Sequence, residues 1–300
     1  MKVLIIGEPC VDVIHKADGK VYNEPGGISY SIVASGLLND GIQTVPVVGL
    51  SKHDREYFAG LFAQLDLVDT SGIYETTAPV RRVDLFYEDD NRRWECSTQP
   101  IEPTPFEKIM PFLPAEGIHL NLISGSDITL ETLRKIRTAA PLCRIHLDLH
   151  NIVMRHMQDG KRVRAARPDY LAWTDLVDTV QMNEDEADTL DAEVRDRRQL
   201  AEKILGTRAG AVIISLAEKG LLLYEKVNDE IAEHFFPAKP TPVVDPTGSG
   251  DVFGAVFLHS VLSGKSYVEA AESGIKSATQ KVGAAGPSGL LKLKRESASA

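Results

Sequence analysis

Cysteine is scarce in this chain. There are three, Cys10, Cys96 and Cys143, with no Cys-x-x-Cys spacing. An odd and sparse set argues against a disulfide frame and points to a reducing compartment. Long apolar runs are missing too: nothing approaches the roughly 18 residues of a membrane span. The opening Met1-Lys2-Val3-Leu4-Ile5-Ile6-Gly7 stops being apolar at Glu8. That is too short for a signal peptide and reads as a buried first strand, so a cytoplasmic protein with no membrane partner is expected. Basic charge is in deficit, with 33 Lys and Arg against 43 Asp and Glu, a formal charge of −10. No basic block offsets it, which argues against a nucleic-acid partner. No internal repeat or low-complexity segment occurs. Two phosphate-binding signatures are also absent. Gly264-Lys265-Ser266 ends like a P-loop, but the required earlier glycine is His259, and the segment follows a helical pattern. No GxGxxG follows the first strand, where Pro9 and Cys10 occupy the turn.

What is present is a globular balance, 25% charged and 43% hydrophobic residues, over a length that suits one large α/β domain with an appendage. Apolar strand signals recur at Val3–Ile6, Thr44–Val48, Ile118–Ile123, Arg144–Leu149, Leu176–Gln181, Ala211–Leu216 and Leu221–Tyr224. Helical patterns separate them at Tyr30–Leu38, Tyr57–Leu65, Leu130–Ala139, Asp185–Leu190 and Arg198–Leu205. That alternation predicts a doubly wound α/β fold with a mainly parallel sheet flanked by helices. Two segments break the rhythm. Cys10–Tyr22 and Val80–Cys96 read as hairpins without intervening helices, the second turning at Glu88-Asp89-Asp90-Asn91. Together they predict a small β appendage built from residues of roughly 10–25 and 78–100. The proline-rich stretch Pro100 to Pro114 leads back to the main domain, and the polar end from Lys292 to Ala300 is expected to fray.

Chemistry concentrates in Val243-Val244-Asp245-Pro246-Thr247-Gly248-Ser249-Gly250-Asp251, after which Val252, Phe253, Val256, Phe257, Val261 and Leu262 share a helical face. N–H groups at a helix start are unpaired and favour negative charge, and glycines let an anion approach them. Asp251 would stand beside that anion as a proton acceptor. Gly and Ser ahead of a helix with Asp in its first turn are also ordinary capping chemistry. The strand–turn–helix setting favours the phosphate reading.

This string resembles the C-terminal signature of the PfkB, or ribokinase-like, carbohydrate kinases, Asp-x-x-Gly-Ala-Gly-Asp, with Ser249 in place of the alanine. The resemblance implies a single kinase domain over residues 1–300, and the β appendage acting as a lid over the sugar site. It implies an anion hole at Gly248, Ser249 and Gly250 and Asp251 as the base on the acceptor hydroxyl. In some members the position of Asp245 helps bind a monovalent cation such as K+. The family's N-terminal signature falls on Gly26 and Gly27, with Ser31 where an Asn commonly stands and Ile28 where some members have Lys. Asp12 matches a carboxylate that binds substrate hydroxyls. Gly-Gly alone is an ordinary turn, and Asp12 alone an ordinary strand residue. Asn183 and Glu186 match residues acting on the Mg2+–phosphate shell, Glu186 through water, although acidic residues in a first helical turn also complement the helix dipole. Ser215-Leu216-Ala217-Glu218-Lys219-Gly220 resembles a nucleotide loop, Thr-Leu-Gly-x-x-Gly, with Ala217 replacing a glycine, so Ser215, Ala217 and Gly220 are expected at the nucleotide. A strand–turn–strand hairpin describes the same residues.

Two weaker candidates are His150, after Asp148-Leu149 at a strand end, and Arg81, sharing a face with Val83 and Leu85. The expected activity is ATP- and Mg2+-dependent phosphorylation of a hydroxyl on a sugar, polyol or related small molecule. A nucleoside acceptor is the alternative within that reading. A non-catalytic kinase-like binding protein is the alternative from another class. A homodimer formed through the lid is a further implication of the resemblance.

Overall fold

Val3, Leu4, Ile5 and Ile6 are all fully buried. Burial of four consecutive residues needs cover on both faces of the sheet, each large side chain contributing roughly 2 kcal/mol. The computed structural model describes residues 1–38, 40–87, 93–97, 101–157, 162–228 and 230–298, and it provides that cover. Lys2–Ile6 lies inside an eight-stranded sheet. The strand order is Glu230–Pro237, Gly220–Val227, Ala211–Ser215, Thr179–Asn183, Arg144–Asp148, Gly117–Asn121, Lys2–Ile6 and Gln43–Val47. The last six of these run parallel, and the first two form an antiparallel edge hairpin. This is the doubly wound, mainly parallel α/β architecture that the alternating pattern predicts.

Alternation along the first strand sorts the two faces. Leu4 and Ile6 join a core with Leu133, Ile136, Trp173, Leu200 and Ile204 from the helices on one side. Val3 and Ile5 join another with Ile32, Val33, Phe58, Val252 and Leu258 on the opposite side. The chain passes from Lys2–Ile6 to its neighbour Gln43–Val47, then returns to the far side at Gly117–Asn121. Strand order therefore reverses between Lys2–Ile6 and Gly117–Asn121. Open α/β sheets form their ligand crevice beyond the carboxyl ends of strands at such a point.

The two β segments pair into a separate four-stranded sheet, ordered Val21–Gly27, Pro9–His15, Arg81–Tyr87 and Arg93–Ser97. Each hairpin is antiparallel, and Pro9–His15 joins Arg81–Tyr87 in parallel. Cys10, Ile14, Val83 and Leu85 bury one face of it. The expected turn at Glu88–Asn91 lies outside the described residues.

Two local expectations change, and the rejection of a P-loop at Gly264 holds. The second helix is Lys52–Phe62 and begins earlier, because Ser51 caps it by accepting the Asp54 N–H at 3.2 Å. Gly264-Lys265-Ser266 joins two helices, and Ser266 opens Tyr267–Val282 with a capping box to Glu269, so its glycine serves a turn. Residues 292–298 of the polar end are helical, as part of Gly286–Ala298, instead of frayed, and residues 299–300 lie outside the described residues.

Candidate active site

Helix Ser249–Leu262 starts at Gly248, whose φ of 79° is left-handed. A Cβ there would lie 2.2 Å from the Tyr30 ring, so both conformation and space require glycine. Gly250 is different, since its nearest neighbour would be Gln181 Nε2 at 3.6 Å. The first intrahelical bond at this end runs from Val252 N–H to Gly248 O, and Ser249 N–H is engaged by Pro246 O at 3.2 Å. Helix geometry leaves the other early N–H groups without partners in the helix.

Asp251 sits in this first turn and is buried. Asn121, at the end of the strand on the far side of the switch point, donates Nδ2–H to its carboxylate at 2.5 Å. Burial raises the Asp251 pKa, and the His150 charge and the Asn121 bond offset that only in part. Two contacts pin the turn from behind. Gln181 Nε2 donates to Gly250 O and to Asp148, both at 2.9 Å. Ser31 Oγ donates to Asp251 O at 3.3 Å and meets His119 Nε2 at 3.2 Å. Ser31 has no exposure at all. The structure thus places its hydroxyl behind the carboxylate, committed to protein partners, rather than on an open surface.

The other expected residues fall into three groups. In the small sheet the Asp12 carboxylate presses on Gly26, where a Cβ would meet it at 2.2 Å. Gly27 adopts φ 56° with Glu8 O where a Cβ would go. At the opposite end, Asn183 and Glu186 form a reciprocal capping box. Asn183 Oδ1 accepts from Glu186 N–H at 2.9 Å, while Asn183 N–H and Nδ2 donate to Glu186 at 2.8 and 2.6 Å. Burial pushes Glu186 up to about 7, with His150 opposing and Asp251 adding to the rise. Asp148 is pushed well above its usual value by burial first, then by Glu186 and Asp251. Beside this, Ser215 ends its strand. Ala217–Lys219 makes a 3-10 turn in which Ala217 takes φ 50°, and Gly220 at φ 125° packs where a Cβ would overlap Phe236 O at 2.0 Å.

Several residues that single-sequence reading did not select complete the site. Asn121, Gln181 and Glu8 are among them. Glu8 is fully buried against Arg81 Nε at 3.1 Å, and Arg81 also donates to Ile123 O at 3.2 Å. Burial raises Glu8 to about 7, Arg81 pulling against it and Asp127 adding to it. Arg81 therefore points inward from the small sheet. Arg162 reaches the same charge cluster through Glu95 at 2.6 Å. Glu8 Oε2, Arg162 Nε and Nη2, Asn121 Oδ1 and His150 Nδ1 are buried without a protein partner. Buried polar atoms are rarely left so in a finished structure. His150 also holds a left-handed φ of 40°.

Asp245 has a full set of partners already. Thr247 and Gly286 donate N–H to it at 3.0 and 3.1 Å, and the Lys281 ammonium lies 3.4 Å from its carboxylate. For Mg2+ the donor chemistry fits. Glu186 and Asp251 both raise the Asp148 pKa and Asp251 raises that of Glu186, a crowding of charge that a nearby cation relieves, and Mg2+ keeps most of its waters and needs few carboxylates. No group of three metal-binding side chains stands close enough to chelate an ion directly among the described residues.

Comparison with known proteins decides the family. The profile described as pfkB family carbohydrate kinase matches residues 124–292, more than half of the chain. The chain belongs to the pfkB family. It is a small-molecule kinase with a ribokinase-like fold. It is similar to a cytidine kinase of Thermococcus kodakarensis, 25% identical over 285 residues that cover 93% of this chain and 95% of the relative. Among solved structures it resembles a pyrophosphate-dependent kinase of the ribokinase family, with a TM-score of 0.80, 19% identity and coverage of 96% and 97%. It also resembles the ribokinase of Thermotoga maritima, with a TM-score of 0.74, 18% identity and coverage of 96% and 94%. Among the described residues no helix of this pfkB kinase is long and apolar enough to cross a membrane.

Proposed function

We propose that this kinase phosphorylates a hydroxyl of a sugar, polyol or related small molecule, using ATP with Mg2+. The observation that carries the reading is the Asp251 carboxylate, buried, held by Asn121, and set in the helix turn that left-handed Gly248 opens. Asp251 accepts the proton as the acceptor hydroxyl attacks the γ-phosphorus of ATP and the β–γ bridging P–O bond breaks to release ADP. Its raised pKa brings it closer to the value that suits a general base. The early N–H groups of the Gly248–Gly250 turn receive the charge that develops on the transferred phosphoryl group. Asn121 and Gln181 fix the position of the turn and of its carboxylate. Ser31 supports them from within the core.

Bound with the nucleotide, Mg2+ neutralises phosphate charge. Glu186 and Asp148 would hold it through its waters, with Asn183 orienting Glu186. Ser215, Ala217 and Gly220 shape the turn on which the nucleotide would lie. Asp12, Gly26 and Gly27 belong to the small sheet, which we assign as a lid (roughly 10–25 and 78–100) on a single domain of residues 1–300. Arg81 and Glu8 tie that lid to the main sheet, where closure would exclude the water that competes as acceptor. The unpartnered atoms of Glu8, Arg162 and Asn121 favour a polyhydroxyl acceptor.

A nucleoside acceptor is the second reading, favoured by the similarity to a cytidine kinase over nearly the whole chain. The test is a phosphoryl-transfer assay over sugars, polyols, inositols and nucleosides including cytidine, each with ATP and with pyrophosphate as donor. Turnover with ATP on one acceptor class supports the reading. Turnover only with pyrophosphate would replace the donor, and no turnover on any pair would overturn it.

A further inference from the structure

Lys281 has no solvent exposure, although lysine is almost never fully buried without a charge to meet. It lies 36 residues from Asp245 in sequence, on helix Tyr267–Val282. Its ammonium donates to Asp245 O at 3.0 Å and to Ala284 O at 2.9 Å, and it stands 3.4 Å from Asp245 Oδ2. Two backbone carbonyls and one carboxylate are the oxygen set that a bare monovalent cation would take. Here a tethered cation uses them. The remaining carboxylate capacity goes to the Thr247 and Gly286 N–H groups. Burial draws the Lys281 pKa down, with Asp245 pulling it back up. Burial would raise Asp245, yet Lys281 brings it below the usual carboxylate value. Three oxygen acceptors around one nitrogen favour the ammonium.

The ammonium also lies 5.3 Å above the Tyr30 ring, the surface on which Gly248 rests. Lys281 thus touches the phosphoryl-transfer turn through two routes, the Asp245–Thr247 backbone and the Tyr30 ring. We propose that Lys281 is a built-in replacement for a monovalent cation: it positions the Gly248–Gly250 turn, and the enzyme works without K+. The proposal rests on the kinase reading above only for its kinetic arm.

The first arm uses the intact protein and no substrate. Its melting temperature is compared in KCl, NaCl and tetramethylammonium chloride at one ionic strength. A specifically bound ion stabilises the native state in a saturable way. No K+-specific, saturable rise is expected for wild type, and such a rise would overturn the proposal. The second arm uses Lys281→Ala, which opens room for an ion, and Lys281→Met, which keeps the volume filled. In Lys281→Ala, K+ or methylammonium should raise the melting temperature saturably, an effect absent in wild type and in Lys281→Met. No rise in a folded Lys281→Ala overturns the cation-like role, and if that variant does not fold the wild-type arm still decides. In the kinetic arm kcat should fall on the order of 10²-fold, as a displaced turn would cause, with acceptor KM little changed. Recovery of kcat by the same ions supports positioning, and an unchanged kcat contradicts it. A wild type without turnover would defeat the kinase reading while leaving the melting arms to judge Lys281.

Discussion

Gly248→Ala is expected to damage this enzyme far more than Gly250→Ala, though the two residues flank one serine. Gly248 has φ 79°, where an L side chain costs roughly 1–2 kcal/mol. The added methyl would also stand 2.2 Å from Tyr30 Cδ1. Tyr30 cannot swing away, because its ring is buried with the Lys281 ammonium 5.3 Å from the ring centroid. Overpacking of a filled core adds about 1–3 kcal/mol. The sum is roughly 2–5 kcal/mol, or a melting temperature lower by roughly 3–8 °C for a chain of this size. At Gly250 a Cβ meets nothing nearer than 3.6 Å and the residue is helical. Replacing a helical glycine by alanine stabilises by about 0.5–1 kcal/mol, so Gly250→Ala should melt at or slightly above wild type. Its kcat should nevertheless fall if an anion must approach that N–H closely. Scanning calorimetry and steady-state kinetics on the two variants separate fold from chemistry. Equal melting temperatures for Gly248→Ala and wild type would refute the reasoning.

Ala217→Gly should stabilise the protein by about 0.5–1 kcal/mol, since Ala217 holds φ 50° where glycine is unstrained, as urea midpoints would show. Asn121→Ala should raise the Asp251 pKa further by removing a bond that lowers it, moving the acid limb of the kcat/KM profile to higher pH. Stability should fall as pH rises through about 7. Glu8 and Glu186 are raised from 4.5 to about 7, so their contribution is complete below 4.5 and is lost above the folded value. Each loss is on the order of 3 kcal/mol, and Glu186→Gln should flatten the urea-midpoint profile between pH 5 and 8.

How legible these features were depends on what makes each one. Asp251 and its turn could be read because glycines, acid and an apolar helix are contiguous, although the strand expected at Val243-Val244 is absent: both valines are exposed in irregular backbone, and the preceding strand ends at Pro237. The parallel sheet could be read because strands covered on both faces need unbroken apolar runs such as Val3–Ile6. Helix Tyr267–Val282 escaped because its buried face is built from Ala270, Ala271 and Gly274, which pack closely but carry little hydrophobic signal. Strand Glu230–Pro237 escaped because an edge strand is only half-buried. Asn121 and Asp148 end their strands, Gln181 sits within one and Glu8 between two; they are single polar residues whose places in the site come from topology alone. Lys281 carries no signal of its own in the sequence, and only the fold brings it to Asp245. The Asn183–Glu186 pair shows both of its readings at once, a capping box whose glutamate has a raised pKa.

The most direct test of the central claim is Asp251→Asn, assayed with ATP, Mg2+ and the best acceptor. The asparagine keeps the shape of the side chain and removes a buried charge, so folding should be preserved. Loss of the base should lower kcat by roughly 10²–10⁴-fold with little change in acceptor KM. A variant that keeps kcat within about tenfold of wild type would contradict Asp251 as the base.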